Sequence, residues 1–191
     1  MARIDLPEVI IADLPPKLQD VERAGALINV FRMMARSPQI ATPVVALGAA
    51  QFATSSLTPI DRELAILTSG ACFEAPYEAA QHEPISRAVG VTDTQRAALA
   101  ARQWDSPQFN EAQRALIAFT AAIADAPTVA GDIFDAAQKH YTDQQIVELI
   151  IQTGYYFLLA RVSTVLDVPL DPPSDDRVLR AGVALAGGSL S

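Results

Sequence analysis

Cysteine is almost absent from this chain. Among 191 residues only Cys72 carries a thiol, so no disulfide can close within the chain, and its sparing use suits the cytoplasm. Histidine is nearly as scarce, with only His82 and His140. A lone histidine with acids falls short of the two or more His or Cys ligands usual for zinc, so no metal is expected. Positive charge is thin as well: 14 Lys and Arg against 22 Asp and Glu leave a net charge of -8. The basic residues are scattered singly instead of forming a stripe, which makes nucleic acid and anionic membranes poor partners. The opening MARIDLPEVIIADLPPKLQD sets acids and prolines where a signal peptide needs an unbroken apolar stretch. The most apolar stretch, Leu149 to Ala160, is interrupted by Gln152 and bounded by Glu148 and Arg161. It is shorter than the roughly twenty apolar residues that cross a bilayer, and reads as a buried helix.

Apolar residues, by contrast, are plentiful. Half of the chain is hydrophobic, enough for a substantial core and for more apolar surface than one core hides, so self-association is expected. The length fits one domain, residues 1–168. Pro169, Pro172, Pro173 and Gly187-Gly188 mark residues 169–191 as an arm or partly disordered extension.

Helix signals dominate and strand signals are nearly absent, which predicts an all-α fold of about seven to eight helices. A first helix is expected from Pro16 to Ala35, ended by Ser37-Pro38, and a second from Pro43 to Phe52. Thr58, Pro59 and Asp61 form a strong start signal for a third, ending near Cys72, with Ile60, Leu64, Leu67 and Ala71 on one face. Pro76 opens a fourth, closed at Gly90. Thr92 with Gln95 caps a fifth, Ser106-Pro107 begins a sixth, and Thr128 to Tyr141 forms a shorter seventh. Thr142 with Gln145 caps the longest, to about Leu166, apolar almost all round between Ile146 and Leu159 and therefore suited to the middle of a bundle or a subunit boundary.

The chemistry concentrates in residues 58–91, within ELAILTSGACFEAPYEAAQH from Glu63 to His82. Imidazole titrates near neutrality, and a neighbouring carboxylate can orient it, so His82 is a candidate proton-transfer group. Glu78 lies one helical turn before it. As the third residue of a helix opened by Pro76, Glu78 equally suits a helix-start role. Glu63 sits at the edge of a face that should be buried, where a carboxylate is either paired, for instance with an arginine, or held protonated. His82 alone fits a structural histidine, Tyr77 a packing anchor, His140 a surface or capping residue, and Cys72 a small buried side chain.

Glu63 and His82 also stand nineteen residues apart, and in this the chain resembles the carboxymuconolactone decarboxylase and alkylhydroperoxidase D superfamily. In its redox branch the glutamate is followed by a CxxC pair and the histidine. Here the two cysteine positions hold Ala75 and Glu78. Gly90 resembles the glycine that ends the family's motif helix. NVFRMMARSP (Asn29 to Pro38), TPIDRELAIL (Thr58 to Leu67) and VELIIQTGYYFLLARVSTVLDVPL (Val147 to Leu170) extend the likeness.

The resemblance implies an oligomer-forming helical bundle, a homotrimer or homohexamer, with its site near a subunit interface. Without two thiols, the branch's peroxide reduction is unavailable within this chain. The decarboxylase branch, which uses no metal or organic cofactor, is the nearer match. It implies a lyase or isomerase-type enzyme on a small carboxylated, lactone or aromatic-derived compound. His82 would move the proton, Glu78 orient it and Glu63 extend the relay. Tyr77 would hydrogen-bond the substrate, and Arg32 would clamp its carboxylate through a bidentate guanidinium. A non-catalytic small-acid-binding protein of the same fold, and single-cysteine hydroperoxide reduction through Cys72, are the alternatives.

Overall fold

The computed structural model describes residues 2–8, 14, 16–23, 25 and 27–172, and among these the secondary structure is helical without strands. Nine helices are present among the described residues: α1 (Pro16–Arg23), α2 (Asn29–Met34), α3 (Pro38–Ala53), α4 (Pro59–Cys72), α5 (Pro76–Ala88), α6 (Asp93–Ala100), α7 (Glu111–Asp125), α8 (Gly131–Gln138) and α9 (Asp143–Val165). The chain forms two compact units, residues 1–54 with 161–191, and residues 55–160.

In the first unit, the expected single helix to Ala35 is two. Gly25 takes a left-handed φ of 64°, a conformation open to glycine that ends α1 before α2 begins. Pro38, read as a stop, is also the first residue of α3, where its missing N–H is no loss. Pro43 then lies inside α3 rather than opening it. The start of the expected arm is tied down: the Asn29 amide donates to the Asp171 carboxylate at 3.1 Å, and its side chain to the Pro169 carbonyl at 3.1 Å. Residues 173–191 of that arm lie outside the described residues.

The second unit is built around α4, which packs against α5, α6 and α7. Leu64 and Ala65 of α4 meet Leu99, Leu116, Ile117 and Leu149 in one buried cluster. The start of α4 follows its sequence signal: Thr58 Oγ1 accepts the Asp61 amide at 3.1 Å, and Pro59 occupies the first turn. Helix α5 opens at Pro76 and ends before Gly90, whose φ of 100° turns the chain so that the Val91 amide donates to the Ser86 carbonyl. Reciprocal capping boxes open α6, with Thr92 and Gln95, and α7, with Asn110 and Gln113. Helix α7 therefore starts at Glu111, not at Ser106-Pro107. Residues 106–109 form a turn instead, in which the Phe109 amide donates to the Ser106 carbonyl and Phe109 is buried.

Helix α9 begins at its Thr142–Gln145 pair and runs for 23 residues. By length and composition alone its 23 residues are long and apolar enough to cross a membrane, a test that the core helix of a globular protein also passes; half of its most apolar window is buried inside the protein. Its inner face is fastened to α4 by Gln152, whose side chain donates to the Arg62 carbonyl at 2.9 Å.

Candidate functional site

Three helices of the second unit meet on one imidazole. Glu63, next to core residue Leu64 on α4, is fully buried at 0% exposure, and its Oε2 lies 2.8 Å from His82 Nδ1. From α9, the Tyr156 hydroxyl lies 3.0 Å from His82 Nε2. The two rings meet edge to face, with centroids 5.2 Å apart and planes at 80°. His82 is 4% and Tyr156 3% exposed, so the chain of contacts runs almost wholly out of water.

Burial, reinforced by the Glu63 charge, holds the Tyr156 phenol well above its ordinary range and therefore neutral. A carboxylate at Glu63 can only accept, so Nδ1–H donates to it, and Nε2 of the neutral imidazole then accepts from the Tyr156 hydroxyl. The Glu63–His82–Tyr156 series is thus a polarised relay in which the carboxylate can stabilise an imidazolium. The other oxygen, Glu63 Oε1, makes no hydrogen bond among the described residues; Arg62 Nε stands 3.8 Å from it, a nearby positive charge with little solvent to screen it.

Glu78 is also buried, one turn before His82 on α5. A Cβ placed on Gly70 of α4 would lie 3.9 Å from the Glu78 Cβ, so α4 and α5 run close there. The carboxylate that grips Nδ1 is Glu63's. The Glu78 charge adds to burial in raising Tyr155 and is among the causes that raise Tyr156. With Ala75 as the residue preceding α5, no side-chain cap forms there, and Glu78 complements the helix start by charge.

Tyr77 is buried on α5. Arg32 belongs to the other unit, where its guanidinium donates to Asn29 Oδ1 at 3.3 Å and the Pro7 carbonyl at 3.4 Å. His140 lies 3.9 Å from Glu111 in a partly exposed pair. Cys72 is half-buried, and burial with the Asp125 charge pushes its thiol up against the opposing pull of Arg102. Among the described residues no group of three or more His, Cys, Asp or Glu side chains is placed to hold a metal ion.

Tyr156 is the site residue that sequence reasoning missed. Its signal was the pair Gln152 and Tyr156, polar groups four apart in a mostly apolar stretch, which must share a face and find partners if buried. A cavity of about 460 Å³ opens beside a different face of α5, where Leu67, Ala75, Ala79 and Leu99 line its walls with Glu83 and Arg96. None of the three relay side chains borders it.

Fold and site together define an all-helical protein with a buried acid–imidazole–phenol relay. The model of the carboxymuconolactone decarboxylase family matches residues 38–122. No curated protein sequence matches. Among solved structures, an uncharacterized peroxidase-related protein with an alkylhydroperoxidase AhpD core from Ralstonia eutropha JMP134 superposes with a TM-score of 0.77. It is 23% identical over 95% of this chain and 97% of its own. A cysteine-to-alanine variant of the debrominase Bmp8, bound to 2,3,4-tribromopyrrole, gives 0.74 at 20% identity over 98% of each chain. A peroxidase-related protein from Silicibacter sp. TM1040 gives 0.75 at 18% identity, covering 89% of this chain and 92% of its own. The family match over residues 38–122 and the shared fold make this chain similar to the carboxymuconolactone decarboxylase and AhpD proteins.

Proposed function

We propose that this chain is a cofactor-independent acid–base enzyme, a carbon–carbon lyase or isomerase of the carboxymuconolactone decarboxylase kind. Its substrate class is a small carboxylated, lactone or aromatic-derived compound. The observation that carries this reading is the relay: one imidazole gripped on both nitrogens, by a buried carboxylate and by a phenol that burial keeps neutral. Loss of carbon dioxide from a carboxylated lactone leaves the bonding electrons on carbon as an enolate, and the reaction finishes when a proton returns to that carbon. His82 moves that proton, with Tyr156 as the outer member of the relay and Glu63 stabilising the imidazolium. Tyr77 remains a proposed substrate contact. The small planar ring bound by the debrominase of the same fold suits this substrate class. A cytoplasmic homo-oligomer without nucleic-acid or membrane partners completes the proposal.

The test is a screen of carboxylated lactones, β-keto acids and hydroperoxides, followed by carbon dioxide release and peroxide loss. With the responding substrate, His82→Ala abolishes turnover while helicity and assembly size stay as in the wild type. Glu63→Gln lowers the rate by at least ~10²-fold. Undiminished turnover in His82→Ala sinks the assignment.

One observation favours a second reading, a non-catalytic small-acid-binding protein. Both ring nitrogens of His82 are already satisfied in a nearly closed shell, as in a purely structural histidine. That reading gives saturable binding without turnover, and near-normal binding in His82→Ala. Single-cysteine hydroperoxide reduction has less support, because a reactive thiol needs a lowered pKa and that of Cys72 is raised.

A further inference from the structure

The outer face of α9 is apolar from Val147 to Leu158. Val147, Ile150, Ile151, Phe157 and Leu158 are all exposed, Val147 to 54% and Phe157 to 49%, and exposed Gly154 lies among them. Their spacings of three and four residues repeat every seven: 147, 150 and 151, then 154, 157 and 158. At 3.6 residues per turn these positions form one stripe with Gly154 at its centre, the pattern by which one helix packs along another. Scattered exposed apolar residues need no explanation, but a continuous stripe on a helix does.

Gly154 points to a close approach from outside. Mid-helix glycine is destabilising, and a Cβ built there meets nothing within 4 Å, so packing within the chain does not require it. The stripe is also bounded by opposite charges on the same face, Asp143 at the start of α9 and Arg161 near its end. The eighteen residue steps from one to the other rise about 27 Å.

We infer that α9 pairs with α9 of a second copy of this chain, antiparallel, about a two-fold axis near position 152. That register sets Asp143 of each copy opposite Arg161 of the other, Val147 opposite Phe157, and Ile150 over the notch at Gly154. A parallel pair would instead oppose like charges at both ends. Because the contact is self-complementary, it requires an even number of chains: a dimer, or a hexamer made of two-fold-related trimers, and not a lone trimer. The inner face of the same helix carries Tyr156, so pairing would also steady the relay's outermost member.

The experiment is sedimentation equilibrium on the full chain over a range of concentrations, with Ile151→Glu, Asp143→Lys, Arg161→Glu and the double Asp143→Lys/Arg161→Glu variant, helicity being checked for each. The wild type should associate into an even-numbered assembly that Ile151→Glu breaks down by one two-fold step. Each single charge reversal should weaken that step by roughly 2- to 30-fold, the range for two exposed ion pairs, and the double reversal should restore it. Rescue is specific to the antiparallel register. A protein monomeric at every concentration, a lone trimer, or a double reversal no better than the singles overturns the inference. So does a monomer recruited to phosphatidylcholine vesicles, which would assign the stripe to a membrane. None of these readouts depends on turnover, so they stand apart from the test of His82.

Discussion

Removing the Tyr156 hydroxyl isolates one link of the relay. Tyr156→Phe preserves the ring and its edge-to-face contact with His82, so the loss is confined to the 3.0 Å hydrogen bond to Nε2. With Tyr156 3% and His82 4% exposed, water cannot replace the hydroxyl, and an unsatisfied buried acceptor costs about 1–3 kcal/mol. For a chain of this length each kcal/mol lowers the melting temperature by roughly 2–4 °C, giving an expected fall of roughly 2–12 °C. Glu63→Gln weakens the link on the opposite nitrogen, where a hydrogen bond to a charged group is worth about 1.5–3 kcal/mol. The two substitutions act through one ring. Once either grip is lost the imidazole is no longer held in place, so the second removal costs less than the first. A double-mutant cycle by denaturant unfolding, monitored by circular dichroism, should show a coupling of about 0.5–3 kcal/mol. Additivity within ~0.5 kcal/mol, or a Tyr156→Phe protein that melts with the wild type, would refute the relay as a coupled unit.

Alkaline titration tests the same shell. Tyr141, Tyr155 and Tyr156 are raised, in each case by burial first and then by neighbouring charge: Asp61 for Tyr141, Glu78 for Tyr155, and Glu63 foremost for Tyr156. A raised acid is neutral when folded, so its contribution to stability is full below the ordinary phenol value of about 10 and is lost as the pH climbs past it. Tyrosinate absorbance from these three should therefore rise together with the loss of helicity; their titration in a still-helical protein would contradict the burial argument. For Cys72→Ser the expected result is unchanged turnover of the substrate found by screening and no change in hydroperoxide consumption. A peroxidase activity abolished by that substitution would reinstate thiol chemistry.

Capping signals were legible because they are local. Thr58 with Asp61, Thr92 with Gln95, and Thr142 with Gln145 each satisfy exposed backbone donors within four residues of sequence, and the structure keeps all three. Asn110 with Gln113 is the same signal, outweighed in the reading by Ser106-Pro107, although a proline start is compatible with a turn as well as a helix. The break at Gly25 depended on a left-handed residue that the surrounding mixed apolar run did not reveal. Glu63 and His82 were legible as a spacing across two adjacent helices. Tyr156, 74 residues beyond His82, was not, because only the docking of α9 onto α4 and α5 brings it to the ring. The same limit hid that the Glu63 carboxylate, on the neighbouring helix, reaches Nδ1.

The two residues that replace the redox branch's cysteines offer a direct test of whether the relay survives without its thiols. Ala75 precedes α5 and Glu78 lies in its first turn, where the helix start lowers a thiol's pKa. Side chains three apart on one turn come within reach of a disulfide. In the Ala75→Cys/Glu78→Cys variant, mild oxidation should leave Cys72 as the one titratable thiol, and reduction should restore all three. If Glu63 and His82 are placed to serve a thiol at 78, the reduced variant consumes hydroperoxide in the presence of dithiothreitol, and adding His82→Ala removes that activity. A disulfide that forms normally while peroxide persists would show that this relay is not the redox site with its thiols removed. The loss of the cysteines would then have come with a repositioning of the imidazole, held now by Tyr156 for other chemistry.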